Sequence, residues 1–596
     1  MKTGHIAIFG LCFATLAACS SSTPSSGNTG GSTGTGTGGS ATGGSGDGTG
    51  GSATGGSGTG GMTGGGTGGK GTGGMTGGGT GGIIGTGGSS TGGAGGKGGS
   101  SSTGGAGGAA TGGSPGTGGT TTTQPTVVTS ASGAYWNTSA TLATGTGSAT
   151  VTVNDSSTKQ NWEGMGGAFN EIGWQQIQKL SSGDQTKVLT MLFGSDGANF
   201  AMGRIPIGAS DYATTRYTDE ETQGSFTIAQ DMKFLIPYVK AAQAVNNNIR
   251  FWASPWTPPT WMKTTSGSAN GNSCALVGKT MFDGGCMNAS TSNLMTYAQY
   301  FTSWIAAYAQ QNIMIDAVAP QNEPNYAQGY PSCLWNSSDY AKFVGTYLGP
   351  ALASTSTKVM LGTNSNGDSG KDMSVVTTVM GDSTAKTFPK MIGLQWSMLD
   401  NFESSPSSFT TYNIPVWATE HKCGNYPWMT SAGSSGSCGI IACPAYVDSA
   451  APNDQSYGVE SWGYIQKAIT AGVTSYSAWN MVLDGVGKGN DTTRSWAQDA
   501  LITISPSSCK GTSVTSQICA TPAYYVFRHV SQFAQAGGKV LSTSGGSAVA
   551  FKNPDGSEVA VMYNSGSASS NYTVQIKGQK YQFSMPASGW ATVVVP

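Results

Sequence analysis

Between residues 149 and 153, threonine alternates with alanine or valine. That is the two-residue period of a strand with one buried face. From residue 162 the pattern changes to short, near-continuous apolar runs at 162–169, 200–207, 249–255, 315–320, 358–362, 392–396, 416–419 and 475–481. Runs of this kind suit strands covered on both faces, as in a parallel sheet. Between them, apolar positions fall at helical spacing, which predicts helices over 171–180 with 185–192, 231–245, 294–310, 340–352, 457–471 and 523–534. Strand runs that are mostly followed by a helix, eight times over, have the rhythm of an α/β fold of the (β/α)8 TIM-barrel type.

After residue 536 the period returns to two, with alternating runs at 539–542, 549–552, 559–563, 572–577, 581–584 and 591–595 and a turn at Asn553-Pro554-Asp555-Gly556. This predicts an attached antiparallel β-sandwich side domain. The strands before Trp162 have no barrel position of their own and are expected to join that sheet, so that both ends of the chain build one domain. The resulting division is a lipoprotein signal peptide over 1–19, a disordered Gly/Ser/Thr-rich tether over 20–125, N-terminal sandwich strands over 126–160, the catalytic barrel over 161–536 and the C-terminal sandwich over 537–596.

Composition supports the tether. The chain has 96 glycines, crowded between about residues 27 and 119, where too few apolar side chains occur to bury a core. The apolar run at 6–18 is too short to span a membrane and ends Leu16-Ala17-Ala18-Cys19, which reads as an export signal. This ending resembles a bacterial lipoprotein box, with Cys19 as the acylated residue. The protein is therefore expected to be exported, either as an outer-membrane or cell-surface lipoprotein held at the membrane through Cys19 or as a secreted protein. A flexible tether of roughly 100 residues has a root-mean-square reach of about 50–60 Å. Beyond Cys12 and Cys19, eight cysteines remain, an even number that suggests disulfides in an exported chain. Cys274–Cys286 and Cys509–Cys519 are the preferred pairs because they are close in sequence within Gly/Ser-rich loops, while Cys333, Cys423, Cys438 and Cys443 allow three pairings. With three histidines and no paired C-x-x-C, a zinc site is a weak rival, and neither metal nor cofactor is expected. Lys+Arg 28 against Asp+Glu 29 leaves no basic patch for nucleic acid. The neutral, Ser/Thr/Asn- and Trp-rich surface fits a sugar ligand, and a monomer is expected.

Of nine glutamates, two follow apolar strand runs. Glu323 comes after Ala317-Val318-Ala319-Pro320-Gln321-Asn322, and Glu420 after Val416-Trp417-Ala418-Thr419. Strand C-termini of a barrel converge on one face, so the ends of the fourth and seventh strands can point at each other across the mouth. Two carboxyls flanking a glycosidic bond supply what hydrolysis needs: one protonates the leaving oxygen while the other attacks or activates water. Two histidines after the signal and no G-x-S-x-G in the folded part argue against a serine hydrolase.

The neighbours of the pair sharpen this. Asn322-Glu323-Pro324 has the shape found at the fourth strand of retaining (β/α)8 glycosidases, and the chain from about Trp162 onward resembles glycoside hydrolase family 30, the glucosylceramidase-like family. The likeness is carried by Gly164-Met165-Gly166-Gly167-Ala168-Phe169-Asn170-Glu171, by Arg204-Ile205-Pro206-Ile207-Gly208 with Ser210-Asp211-Tyr212, by Ala253-Ser254-Pro255-Trp256-Thr257-Pro258-Pro259-Thr260-Trp261-Met262-Lys263, by Ala418-Thr419-Glu420, and by Trp479-Asn480. The resemblance implies a retaining β-glycosidase with Glu420 as nucleophile and Glu323 as general acid/base. It implies substrate contacts at Glu171, Arg204, Trp256, Asn322, Trp479 and Asn480, with Arg204 beside Glu420 keeping that carboxylate ionised. The implied substrate is an oligo- or polysaccharide or a glycolipid, namely β-1,6-glucan or a glucosylceramide-like β-glucoside, with xylanase or galactanase action as alternatives. One departure stands out. The family ends its sixth strand with His-Trp-Tyr or a similar triplet whose Tyr supports the nucleophile, whereas this chain has Gln395-Trp396-Ser397. A second reading follows from it: a non-catalytic surface glycan-binding lipoprotein that keeps Trp256 and Trp479 but has lost the support of Glu420.

Overall fold

The computed structural model describes residues 124–365, 373–421, 455–491, 498–506, 508–509 and 511–596. The signal, Cys19, nearly all of the tether, and Cys423, Cys438 and Cys443 lie outside the described residues.

Eight parallel strands close into a barrel: Gly164–Ala168, Met202–Ile207, Arg250–Pro255, Ile315–Val318, Lys358–Asn364, Pro389–Gln395, Val416–Glu420 and Ser475–Asn480. Each coincides with one of the apolar runs. Closure comes from the last strand pairing with the first, with Ser477 opposite Gly166. The second strand shows why the runs carry no alternation, since all six of its residues are buried, some facing the barrel interior and the rest the helices. Met202, Trp252, Ala317, Met360, Met391 and Trp417 form one apolar cluster drawn from six of the strands, large beside small. Gly166 is required by close approach, because a Cβ there would sit 1.8 Å from the Met202 carbonyl oxygen.

The helices depart most from the sequence reading in three places. The segment predicted as one helix over 340–352 runs as α over Ser337–Lys342, π over Phe343–Leu348 and α over Gly349–Leu352. Pro350 has no N–H for the Thr346 carbonyl, so the regular i→i−4 ladder cannot pass through it. Helices Ser374–Gly381 and Trp396–Ser404 follow the fifth and sixth strands and have no counterpart in the sequence reading. The first is rich in Val and Thr, whose weak helix propensity hides it, and it forms because Val375, Val376 and Val379 bury one face. A small sheet after the eighth strand (Val482–Asp484, Ile502–Ile504, Ile518–Ala520 and Thr512–Thr515) was likewise not legible.

The side domain is one ten-stranded sheet, folded around its own core of Val151, Val153, Leu541, Ala550, Met562 and Phe583 among others. Thr126–Ala131 pairs with the final strand Trp590–Val595, and Val151–Asn161 pairs with Lys539–Ser544. His529, on barrel helix Pro522–Ser531, ties the domains together: Nδ1 meets Thr592 Oγ1 at 2.8 Å and Nε2 meets Ser130 Oγ at 2.8 Å. Burial pushes this imidazole down to about 3, so the joint is neutral at ordinary pH.

The disulfides Cys274–Cys286 and Cys509–Cys519 form as the spacing suggests. Cys333 corrects the even count. It is an unpaired, fully buried thiol that burial pushes up to about 12, so cysteine parity does not carry over to pairing here.

Candidate active site

The chain runs on beyond the fourth strand without leaving the barrel wall. Asn322 N–H donates to the Pro255 carbonyl and Glu323 N–H to the Thr363 carbonyl, so strands on either side hold this extension. It ends with Glu323 at φ 49°, in the left-handed region that non-glycine residues seldom occupy. Trp396, just beyond the sixth strand, sits at φ 52°. Backbone held in such sparsely populated conformations clusters at working sites. The sixth and seventh strands bring Gln395 opposite Glu420 in register.

These strand ends gather one hydrogen-bonded group. Arg204 Nη1 donates to Glu420 Oε2 at 2.7 Å, and Nη2 donates to Asn322 Oδ1 at 2.6 Å. Trp396 Nε1 donates to the other carboxylate oxygen, Glu420 Oε1, at 3.1 Å. Tyr330 O–H donates to Glu323 Oε2 at 3.1 Å, and Thr363 O–H donates to Asn322 Oδ1 at 2.9 Å. Gln395 Nε2 lies 3.3 Å from Glu323 Oε1 and 3.4 Å from Glu420 Oε2, so those two oxygens can be no farther apart than about 6.7 Å. Both carboxyls are therefore on one face of the barrel.

The electrostatics separate the two. Burial raises Glu323, and it raises Glu420 as well. On Glu420 the guanidinium of Arg204 pulls the other way, while the neighbouring Glu323 charge pushes upward. Two carboxyls this close in a buried site cannot both ionise readily. Contact with Arg204 favours the ionised form of Glu420, yet burial and the Glu323 charge still carry it up to about 7. Asp211, absent from the sequence list of site residues, adds to this, since its charge raises Glu323 and helps hold Arg204 protonated.

The remaining expected contacts are placed differently. Trp256 is 1% exposed, with Arg204 4.3 Å over its ring and Trp479 stacked at 5.4 Å. It forms a wall beneath the guanidinium. Trp479 packs one face on Trp256 and meets the edge of Tyr212. Asn480 accepts from Asn170 Nδ2 and donates to Gln498 Oε1, so its amide braces the first strand's exit. Glu171 does not join the pair. Its carboxylate accepts from Thr214 N–H, Thr214 O–H and Gln230 Nε2, and it anchors the segment after the second strand. Sequence reasoning missed Tyr330 and Gln395 as partners of the pair. Gln395-Trp396 was visible only as a departure from a family triplet, and Tyr330, seven residues past Glu323, carried no signal.

The family model described as the glycosyl hydrolase family 30 TIM-barrel domain matches residues 162–534, and that described as the glycosyl hydrolase family 30 beta sandwich domain matches residues 539–593. Among curated proteins, the chain is 26% identical over 455 residues to the lysosomal acid glucosylceramidase of Mus musculus, covering 71% of this chain and 78% of the relative. It is 24% identical over 473 residues to the endo-1,6-beta-D-glucanase BGN16.3 of Trichoderma harzianum, covering 75% and 86%. Among solved structures, the endo-beta1,6-glucanase BT3312 superposes with a TM-score of 0.63 at 22% identity, over 79% of this chain and 98% of that one.

Proposed function

The chain belongs to glycosyl hydrolase family 30 and is a glycoside hydrolase, and from that premise we propose that it cleaves β-glucosidic bonds with retention of configuration, by double displacement. The observation that carries the proposal is the ceiling of about 6.7 Å between Glu323 Oε1 and Glu420 Oε2, set by the one amide that reaches both, which leaves out nearly all of the wider range that inverting enzymes use. Retaining enzymes place their carboxyl groups about 5–5.5 Å apart, and inverting ones about 6.5–9.5 Å. In the first step a Glu420 oxygen bonds to the anomeric carbon, the bond to the leaving oxygen breaks, and Glu323 gives that oxygen its proton. In the second step Glu323 takes a proton from water, whose oxygen attacks the same carbon and releases Glu420. Asn322 Oδ1 is engaged by Arg204 and Thr363, which leaves its NH2 as the donor for a sugar hydroxyl beside the reacting carbon.

Relatives named as glucosylceramidase and as endo-1,6-β-glucanase favour a glucose unit on the non-reducing side of the cleaved bond. A β-1,6-glucan is the substrate proposed, with glucosylceramide-like glucosides, xylan and galactan as the other arms of a hydrolysis panel. The non-catalytic reading rested on a missing support for Glu420, and Arg204, Gln395 and Trp396 now stand in that role. The proposal also places the enzyme outside the cytoplasm, acylated at Cys19, and Cys19→Ala should move it from the membrane to the soluble fraction. The decisive experiment for the chemistry is Glu420→Ala. Turnover of an aryl β-glucoside should fall by at least about 10⁴-fold. Azide should restore it with an α-glycosyl azide as product. Turnover near wild type would end the double-displacement reading.

A further inference from the structure

Gln395 opens the Gln395-Trp396-Ser397 triplet at which the chain departs from the family pattern, and its geometry sets it apart from the other donors of the site. Its Nε2 lies 3.2 Å from Asn322 Oδ1, 3.3 Å from Glu323 Oε1 and 3.4 Å from Glu420 Oε2. An amide nitrogen has two hydrogens, so three acceptors always leave one unserved. The distances are nearly equal and longer than the usual 2.9–3.0 Å, so no acceptor is preferred at rest. The opposite end lies against Thr419, whose hydroxyl is 3.0 Å from Gln395 Oε1 and 3.1 Å from the Leu394 carbonyl and shares its one hydrogen between them. The side chain is fully buried, and a donor in such a site acts at low dielectric.

We propose that the Gln395 amide is a positioning group shared by both carboxyls, a neutral donor that follows the negative charge from Glu420 to Glu323 as the glycosyl-enzyme forms. This rests on the double-displacement reading above. Before the first step the charge is on Glu420, and Gln395 can serve Oε2 there. Once Glu420 is esterified and Glu323 has lost its proton to the leaving oxygen, the charge is on Glu323, and a small tilt of the same amide serves Oε1. A cation in this place would hold the charge on one side, whereas an amide carries no net charge and favours neither. Arg204 and Trp396, by contrast, reach oxygens of Glu420, and Tyr330 reaches an oxygen of Glu323.

The test compares pH profiles of kcat/KM on an aryl β-glucoside. In the wild type the acid limb reports ionisation of Glu420 and the basic limb loss of the Glu323 proton. Gln395→Met keeps the length and removes the donor. The rate should fall by about 10²-fold. Both carboxylates lose a donor, so both limbs should move to higher pH, by about one unit. Gln395→His, which can present one N–H, should bring both limbs part of the way back. Trp396→Phe, which removes a donor of Glu420, should move the acid limb alone. A rate loss with unmoved limbs, or a shift of the acid limb alone in Gln395→Met, would overturn the proposal. If Gln395→Met does not fold, Thr419→Val removes the hydroxyl against the amide oxygen and must move the same two limbs upward by a smaller amount, and unmoved limbs there would also overturn it. Glu420→Ala assayed alongside keeps the two readings apart. If it is inactive while the Gln395→Met limbs stay put, only the shared donor fails; if it is active, the double displacement itself fails.

Discussion

The barrel buries two pairs of carboxyls, and they are built differently. Glu323 and Glu420 sit at strand ends with a guanidinium in contact with one of them and hydrogen-bond donors near 3 Å on both. Asp219 and Asp231 sit behind the segment that follows the second strand, ringed by phenols. Asp231 accepts from Tyr217 and Tyr308 at 2.7 Å each, and Tyr300 O–H reaches Asp219 Oδ2 at 3.4 Å. Tyr300, Trp304 and Tyr308 lie four residues apart on helix Thr291–Gln310, which puts all three on one face. Among the described residues no ion pair involves either aspartate. Burial raises both, Asp231 to about 6. The phenol-ringed pair is held by neutral donors alone, while the pair at the strand ends has a fixed cation against one member. Burial of carboxyls by itself therefore does not mark a working site; asymmetry between the two does. The charge of Glu171 acts on Asp219 and Asp231, and its oxygens are held by Thr214 and Gln230.

The sharpest way to break the comparison is to remove the cation. Arg204→Met should lower kcat/KM by about 10³-fold. It should also cost about 3–5 kcal/mol of stability by leaving a buried carboxylate unpaired, and urea unfolding would measure that loss. Glu420 then rises further, so the acid limb of the rate profile should move to higher pH. If activity survives with that limb in place, polarisation by Arg204 is not what distinguishes the pair.

Glu323→Gln should come next in size. Loss of the proton donor should slow hydrolysis of poor leaving groups by about 10²–10⁴-fold. A 2,4-dinitrophenyl glucoside, which leaves unaided, should be far less affected in its first step. Equal losses on both substrates would remove Glu323 from the acid role.

Tyr308→Phe probes the other pair. It deletes one donor to Asp231 and should cost about 1–3 kcal/mol with kcat unchanged. The smallest effect is expected for Asp219→Asn, and its sign is informative. A carboxyl raised in the folded state binds protons that the unfolded chain has already released, so stability falls as pH rises from the ordinary 3.8 through about 6. Replacing Asp219 by a neutral amide lowers Asp231 by removing its charged neighbour. Thermal melts should then show a gain at pH 7 that disappears near pH 4, again with kcat unchanged. A gain of equal size at both pH values would mean that the pair is not the source of the dependence.

Much of this architecture was legible along the chain. Strand runs such as 202–207 are local facts, because a strand covered on both faces must be apolar at every position. The side domain announced itself through period two and an Asn-Pro-Asp-Gly turn. Glu323 and Glu420 stood out because a carboxylate after an apolar strand has to be accounted for. The helix Ser374–Gly381 did not stand out, since its Val and Thr favour other conformations and only packing overrides them. Cys333 joined an even count and proved to be a buried thiol.

What the sequence by itself determined is where the eight barrel strands lie along the chain, and therefore which residues come near the mouth of the barrel, because burial and strand period are written into consecutive residues. Only the tertiary structure decided which of those residues meet. Arg204 and Glu420 are 216 positions apart, and Gln395 reaches both Asn322 and Glu420. Asn480 and Glu171 spend their polar groups on neighbours that no local pattern identifies. The reason is physical: an apolar run specifies that a strand is buried, but donors and acceptors are paired through space, and that pairing exists only once the eighth strand closes on the first.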